Sequence, residues 1–173
     1  MSLIRRFLLC CCSKQYIHDS KLTKLSNKNT CRWIVPFRRA KVVDVYDGDT
    51  LTLAAFIENK PYRFRCRLAK IDAPELRPNG SLSSAEYTAE LKLAVLSKMA
   101  LTNMALGNIV TLYDVKTEKW GRILADLVVD GTTETLSDRM LKCRMAIPYD
   151  GGKKDDYSWK NHKYPNQFRW LND

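Results

Sequence analysis

The chain has 173 residues, with 29 Lys/Arg against 19 Asp/Glu and a formal net charge of +10. That length supports one domain with a real core plus tails and excludes two full domains. No apolar run reaches the ~18 residues that a spanning helix needs, and the six Cys include no Cys-x-x-Cys pair, which argues against a zinc site and a disulfide framework and favours a reduced, intracellular setting.

Charge is unevenly placed. Residues 1–41 hold ten Lys/Arg and one acid, Asp19, for +9; residues 42–173 hold 19 Lys/Arg and 18 acids, for +1. The basic character is therefore mostly a property of the leader, and pI is a weak argument for nucleic-acid binding by the folded part. The leader is expected to span 1–36. Arg5-Arg6 followed by Phe7-Leu8-Leu9 and Cys10-Cys11-Cys12 fits three readings: membrane contact through residues 1–12 with palmitoylated cysteines, an organelle presequence, or a disordered leader. Ser2 excludes N-terminal myristoylation.

Order is expected from Phe37, with a folded domain over 37–150. Residues 38–46 (RRAKVVDVY) and 49–57 (DTLTLAAFI) read as strands around a tight turn at Asp47-Gly48. Glu58-Asn59-Lys60-Pro61 makes the next turn. Residues 62–71 alternate, with Tyr62, Phe64, Cys66 and Leu68 on one face and Arg63, Arg65 and Arg67 on the other. A Pro/Gly/Ser loop over 76–82 leads to Ser83-Ser84-Ala85-Glu86, whose capping-box spacing opens a helix of about five turns that Gly107 ends. Leu91, Val95, Leu96, Met99 and Met104 are expected to face the core. Strands at 108–116 and 122–129 flank Thr117-Glu118-Lys119-Trp120-Gly121, and a short helix follows near 134–145. Residues 151–173 read as an irregular tail, whose Trp159, Phe168 and Trp170 are expected to pack onto the domain. The order predicts an α+β chain, mainly β: a five-stranded Greek-key barrel of the oligonucleotide/oligosaccharide-binding type, with a long helix after its third strand and a short one after its fifth.

The segment richest in chemistry is Asp72-Ala73-Pro74-Glu75, with Arg67 five residues earlier. Carboxylates can hold a hard cation, and a guanidinium forks onto phosphate oxygens. Centring the hairpin turn between Asn59 and Lys60 sets Asp49 opposite residue 70, at the same end as Asp72. Two such carboxylates repel unless a positive group lies between them, and a divalent cation is expected there, with all-oxygen ligation favouring Ca²⁺ or Mg²⁺ over zinc. Arg67 and Asp72 are an odd number apart, so a flat strand would set them on opposite faces, and a local distortion is required. Arg122 is the second candidate phosphate ligand. The two histidines, His18 and His162, fall in expected tails, which argues against a histidine general base.

Val45-Tyr46-Asp47-Gly48-Asp49-Thr50, then Arg67 with Asp72-Ala73-Pro74-Glu75, then Lys119-Trp120-Gly121-Arg122, resemble the staphylococcal nuclease (thermonuclease) family over about residues 40–150. The specificity lies in the ordered set and not in any single motif. The resemblance implies a Ca²⁺-dependent nuclease (Ca²⁺ before Mg²⁺, one ion), an endonuclease acting on single-stranded DNA and RNA with little sequence preference, and a monomer. It implies Asp49, Asp72 and the Ala73 carbonyl as metal ligands, Ala73 standing where Thr is common. Glu75 would orient or deprotonate the attacking water, Arg67 and Arg122 would bind the scissile phosphate, and Asp47 would support the ligands. The alternative is a catalytically silent nucleic-acid- or protein-binding module on the same barrel.

Overall fold

The computed structural model describes residues 20–30, 34–118, 121–152 and 157–163. The chain divides into two units, Met1–Trp33 and Ile34–Asp173. In the first, residues 20–22 are helical and the Asn29 side chain ties the following turns, accepting from the Ser26 backbone N–H and donating to the Lys24 carbonyl. The cysteine triplet and the rest of residues 1–19 lie outside the described residues, as do Phe168 and Trp170. No helix among the described residues is long and apolar enough to cross a membrane.

The second unit is a barrel. Its strands are β1 (Arg39–Val45), β2 (Thr50–Ile57), β3 (Lys60–Leu68), β5 (Ile109–Thr117) and β6 (Ile123–Val129). A short strand β4 (Ile71–Asp72) and its partner β7 (Ile147–Pro148) form a separate two-stranded sheet. The helices are α1 (Ser84–Ala105) and α2 (Leu136–Lys142), followed by a single 3-10 turn at Trp159–Asn161. The barrel closes in the order β1-β2-β3-β6-β5, antiparallel throughout except for the β3–β6 seam. This is the expected five-stranded barrel, with the long helix inserted between its third and fourth strands and the short one after its fifth.

The barrel is filled by alternation. Leu51, Leu53, Leu68, Leu112, Ile123 and Leu127 are fully buried, and Leu101, Leu136 and Met140 seal it from the helices. Each such side chain contributes about 1.5–3 kcal/mol relative to exposure. Glu58 and Asn59 both take left-handed backbone (φ 49° and 63°), which makes the β2–β3 connection a two-residue turn. The turn therefore centres one residue earlier than expected, and Thr50 pairs with Arg67. Asp49 then lies opposite Leu68, whose N–H donates to the Asp49 carbonyl at 2.8 Å. The shift is two residues, so face parity survives. Pro61 is tolerated in β3 because β6 pairs only with Cys66–Leu68.

Helix α1 carries the capping box read from the sequence: the Ser83 hydroxyl accepts from the Glu86 N–H, and the Glu86 carboxylate accepts from the Ser83 N–H. Its core face corrects the expectation. Glu90, Leu93, Ala94, Leu96, Ser97, Leu101 and Ala105 are buried, while Val95 and Met99 are exposed. Small and polar side chains occupy the close-packed face, so apolar content alone picks the wrong stripe. Gly107, at φ 82°, ends the helix in the left-handed conformation that glycine adopts without strain. Trp159 is buried in the main core, so this part of the tail does pack onto the unit.

Candidate active site

The first half of the site is the turn between β1 and β2. One carboxylate oxygen of Asp47 accepts from the backbone N–H groups of Asp49 (3.1 Å) and Thr50 (2.7 Å), an Asx-type turn that fixes the loop. Asp49 Oδ1 accepts from the Thr50 hydroxyl at 2.7 Å, leaving Oδ2 to face β3. Gly48 is needed here for space. A Cβ at this position would stand 1.9 Å from Ser97 Oγ and 2.8 Å from the Ala73 Cβ. The Asp47–Thr50 turn is thereby seated on α1 and against the Asp72–Ala73 segment, which joins the two halves of the site.

The second half depends on how β3 ends. Ala69 still donates to the Ala125 carbonyl, but Lys70 takes φ 67° and the chain leaves the barrel to pair β4 with β7. Tyr149 donates its N–H to the Lys70 carbonyl, and the buried Ser137 hydroxyl donates to the Ala69 carbonyl. This left-handed break is the local distortion that an odd spacing demands. It turns Asp72 to the side on which Arg67 emerges.

The two halves meet at Arg67. One guanidinium nitrogen, Nη2, lies 3.0 Å from Asp49 Oδ2 and 2.7 Å from Asp72 Oδ1, and the three side chains are only 9–15% exposed. The positive group that joins the carboxylates in the structure is thus Arg67 itself, where the sequence reading set a cation. Burial pushes the Asp49 carboxyl up to about 7; Arg67 opposes this, and the nearby charges of Asp47 and Asp72 add to it. For Arg67, burial works against the charge but Asp49, Asp72 and Glu118 outweigh it, so its affinity for a proton rises.

Glu75 is exposed at the end of the same segment. Its backbone N–H donates to Glu90 Oε1 at 3.0 Å, so a buried carboxylate on α1 positions the loop that carries it. Arg122 leaves the start of β6, where Ile123 pairs with Cys66 and Leu124 with Arg67. Its Nε donates to Glu118 Oε2 at 2.6 Å, and Glu118 also acts electrostatically on Arg67. Lys119 and Trp120 lie outside the described residues.

Two groups were not singled out by the sequence reading. The Arg67 guanidinium sits 5.5 Å from the ring centroid of Tyr149, whose hydroxyl donates to the Gly152 carbonyl at 2.6 Å. Glu90 is the other, a buried acid in a helix that otherwise reads as amphipathic filler. A groove of about 780 Å³ opens beside Arg67, walled in part by Lys70, Tyr113, Glu118, Asp126 and Tyr149. Within it Lys70 Nζ pairs with the buried Asp126 at 2.5 Å.

Asp49 and Asp72 present buried carboxylate oxygens at one point, the donor chemistry that suits a hard cation, and in the structure Arg67 neutralises them. Among the described residues no group of three or more His, Cys, Asp or Glu side chains is placed to hold a metal ion. Comparison with protein-family models and with curated proteins gives no match.

Proposed function

We propose that the protein is a Ca²⁺-dependent nuclease that hydrolyses DNA and RNA phosphodiester bonds with little sequence preference. The observation that carries this reading is the meeting of Asp49, from the β1–β2 turn, and Asp72, from β4, on one guanidinium at the edge of a groove. Asp49, Asp72 and the Ala73 carbonyl would hold the ion, with Arg67 yielding one carboxylate to it. When bound, the ion supplies Lewis-acid polarisation of a phosphate oxygen and of a coordinated water.

The chain's own groups divide the rest of the work. Arg67, freed from one carboxylate, forks onto the phosphate oxygens. Arg122 offers a second guanidinium as negative charge builds on the phosphate oxygens, exchanging Glu118 for phosphate. Glu75 accepts the proton from the attacking water, one P–O bond forms as another breaks, and the departing oxygen leaves as an alkoxide that takes a proton from solvent water. Burial of Asp49 and Asp72 strengthens the interactions made at those two carboxylates relative to water.

A second reading is supported by one observation. Arg67 already neutralises both carboxylates, as it would in a catalytically silent nucleic-acid- or protein-binding module. Purified protein incubated with single-stranded DNA, duplex DNA and RNA separates the two. The nuclease reading expects cleavage with millimolar Ca²⁺ and none in chelator, and a loss of about 10²-fold or more in turnover for Arg122→Ala with the fold intact. Intact DNA and RNA under both Ca²⁺ and Mg²⁺ would favour the silent module.

A further inference from the structure

We propose that the outer face of β3 is a single-stranded nucleic-acid track, in which Arg65 and Arg63 bind the phosphates next to the one held at Arg67. The inference rests on the nuclease reading for the identity of the partner; its geometry is independent of catalysis. Cys66 and Leu68 point into the barrel, so Arg67, Arg65 and Arg63 share the opposite, outward face. Alternate positions of a strand advance about 6.7 Å, roughly twice the ~3.4 Å per nucleotide of a stacked strand, as a strand with splayed bases requires.

Neither Arg63 nor Arg65 has an ion-pair partner among the described residues, although both are exposed. A surface arginine that serves only solubility has no need of such a row, and here the row runs straight into the carboxylate site. Aromatics alternate with it. The Arg65 guanidinium lies 5.0 Å from the centroid of the Tyr46 ring, which is 40% exposed. At the far end Phe56, 72% exposed, pairs across the hairpin with Pro61 on the same face. Lys41, opposite Ala54 and hence in line with Arg63, widens the positive edge. At the Arg67 end the face meets Asp49 and Asp72; along the rest of the row the acid in register is Asp44, one strand beyond Thr52 and in line with Arg65. Arginines bind phosphates and exposed rings stack on bases without reading sequence, which is the chemistry of non-specific single-strand binding. From Arg67 to Pro61 the track accommodates about three nucleotides.

The test uses the full chain with Arg63→Ala/Arg65→Ala, and fluorescence anisotropy on an oligothymidylate about twelve nucleotides long in chelator, where no cleavage occurs. The expected result is affinity at least ~10-fold weaker at low salt, with a salt slope reduced by about 1.4, from ~0.7 per lost phosphate contact. Unchanged oligonucleotide affinity and slope would overturn the track, as would an equal loss in Lys24→Ala/Lys28→Ala, which removes the same charge elsewhere. Binding to phosphatidylserine vesicles that falls in the arginine variant while oligonucleotide binding holds would reassign the face to a membrane. Weakened oligonucleotide binding without any hydrolysis by the unaltered protein would uphold the track and refute only the nuclease reading.

Discussion

At the scale of single residues the site turns on Arg67. Removing its side chain leaves two largely buried carboxylates against each other, and breaking a buried pair by removing one partner is strongly destabilising. Arg67→Ala should therefore lose about 2–4 kcal/mol in metal-free urea unfolding, somewhat less than a fully buried pair would lose. Ca²⁺ should then raise its melting temperature by more than it raises that of the unaltered protein, because the ion takes over the neutralising role. Equal stability of the two proteins, or no Ca²⁺ response in either, contradicts the placement of the ion between Asp49 and Asp72. Cys66 is a second residue with a definite prediction. Burial first, and the nearby Glu118 second, push its thiol up to about 12 against the opposing charge of Arg122. The thiolate is the reactive form. Mass-spectrometric mapping after alkylation at pH 8 should find Cys66 unmodified in the native protein and modified after denaturation; labelling of native Cys66 at the rate of an exposed thiol would be inconsistent with its burial.

At the scale of elements, the connections matter more than the strands. Gly48 is held by close packing against Ser97 and Ala73, not by a positive φ. Gly48→Ala should cost about 1–3 kcal/mol through overpacking and reduce activity further, by separating the Asp49 turn from Asp72. Full activity and unchanged unfolding would mean that this contact does not align the site. The strands themselves were legible because their alternation is clean: Leu51, Leu53, Cys66 and Leu68 are buried where a period of two puts them. The turn between β2 and β3 was misplaced by one residue because Glu58, a poor left-handed residue, takes that conformation beside Asn59. The break at Lys70 was legible only as a necessity. Nothing in Ala69-Lys70 signals a turn, and the conformation is imposed from outside, by Ser137 on α2, by Tyr149 and by the Lys70–Asp126 pair. Helix α1 shows the converse: its caps were readable from local chemistry, but its buried face was not, since close packing selects Ala94 and Ser97 over Val95 and Met99.

At the scale of the whole unit, barrel closure does what no segment can do alone. The parallel β3–β6 seam brings Arg67 beside Leu124 and carries Arg122 to the same side of the barrel, from more than fifty positions away in the chain. Asp49, Arg67 and Asp72 meet, Ala73 lies against the turn that carries Asp49, the Glu75 backbone is tied to Glu90, and Arg122 pairs with Glu118. What the sequence could not indicate were the groups supplied by packing: Tyr149 from the segment after α2, and the buried Glu90. The most direct test of the account compares the unaltered protein with Asp72→Asn, which keeps the shape of the side chain and removes its charge. In a single-stranded DNA digestion with millimolar Ca²⁺, the unaltered protein should cut and Asp72→Asn should lose about 10²-fold or more of that rate. Equal cutting by both proteins, or cutting by the unaltered protein that persists in excess chelator, would contradict it.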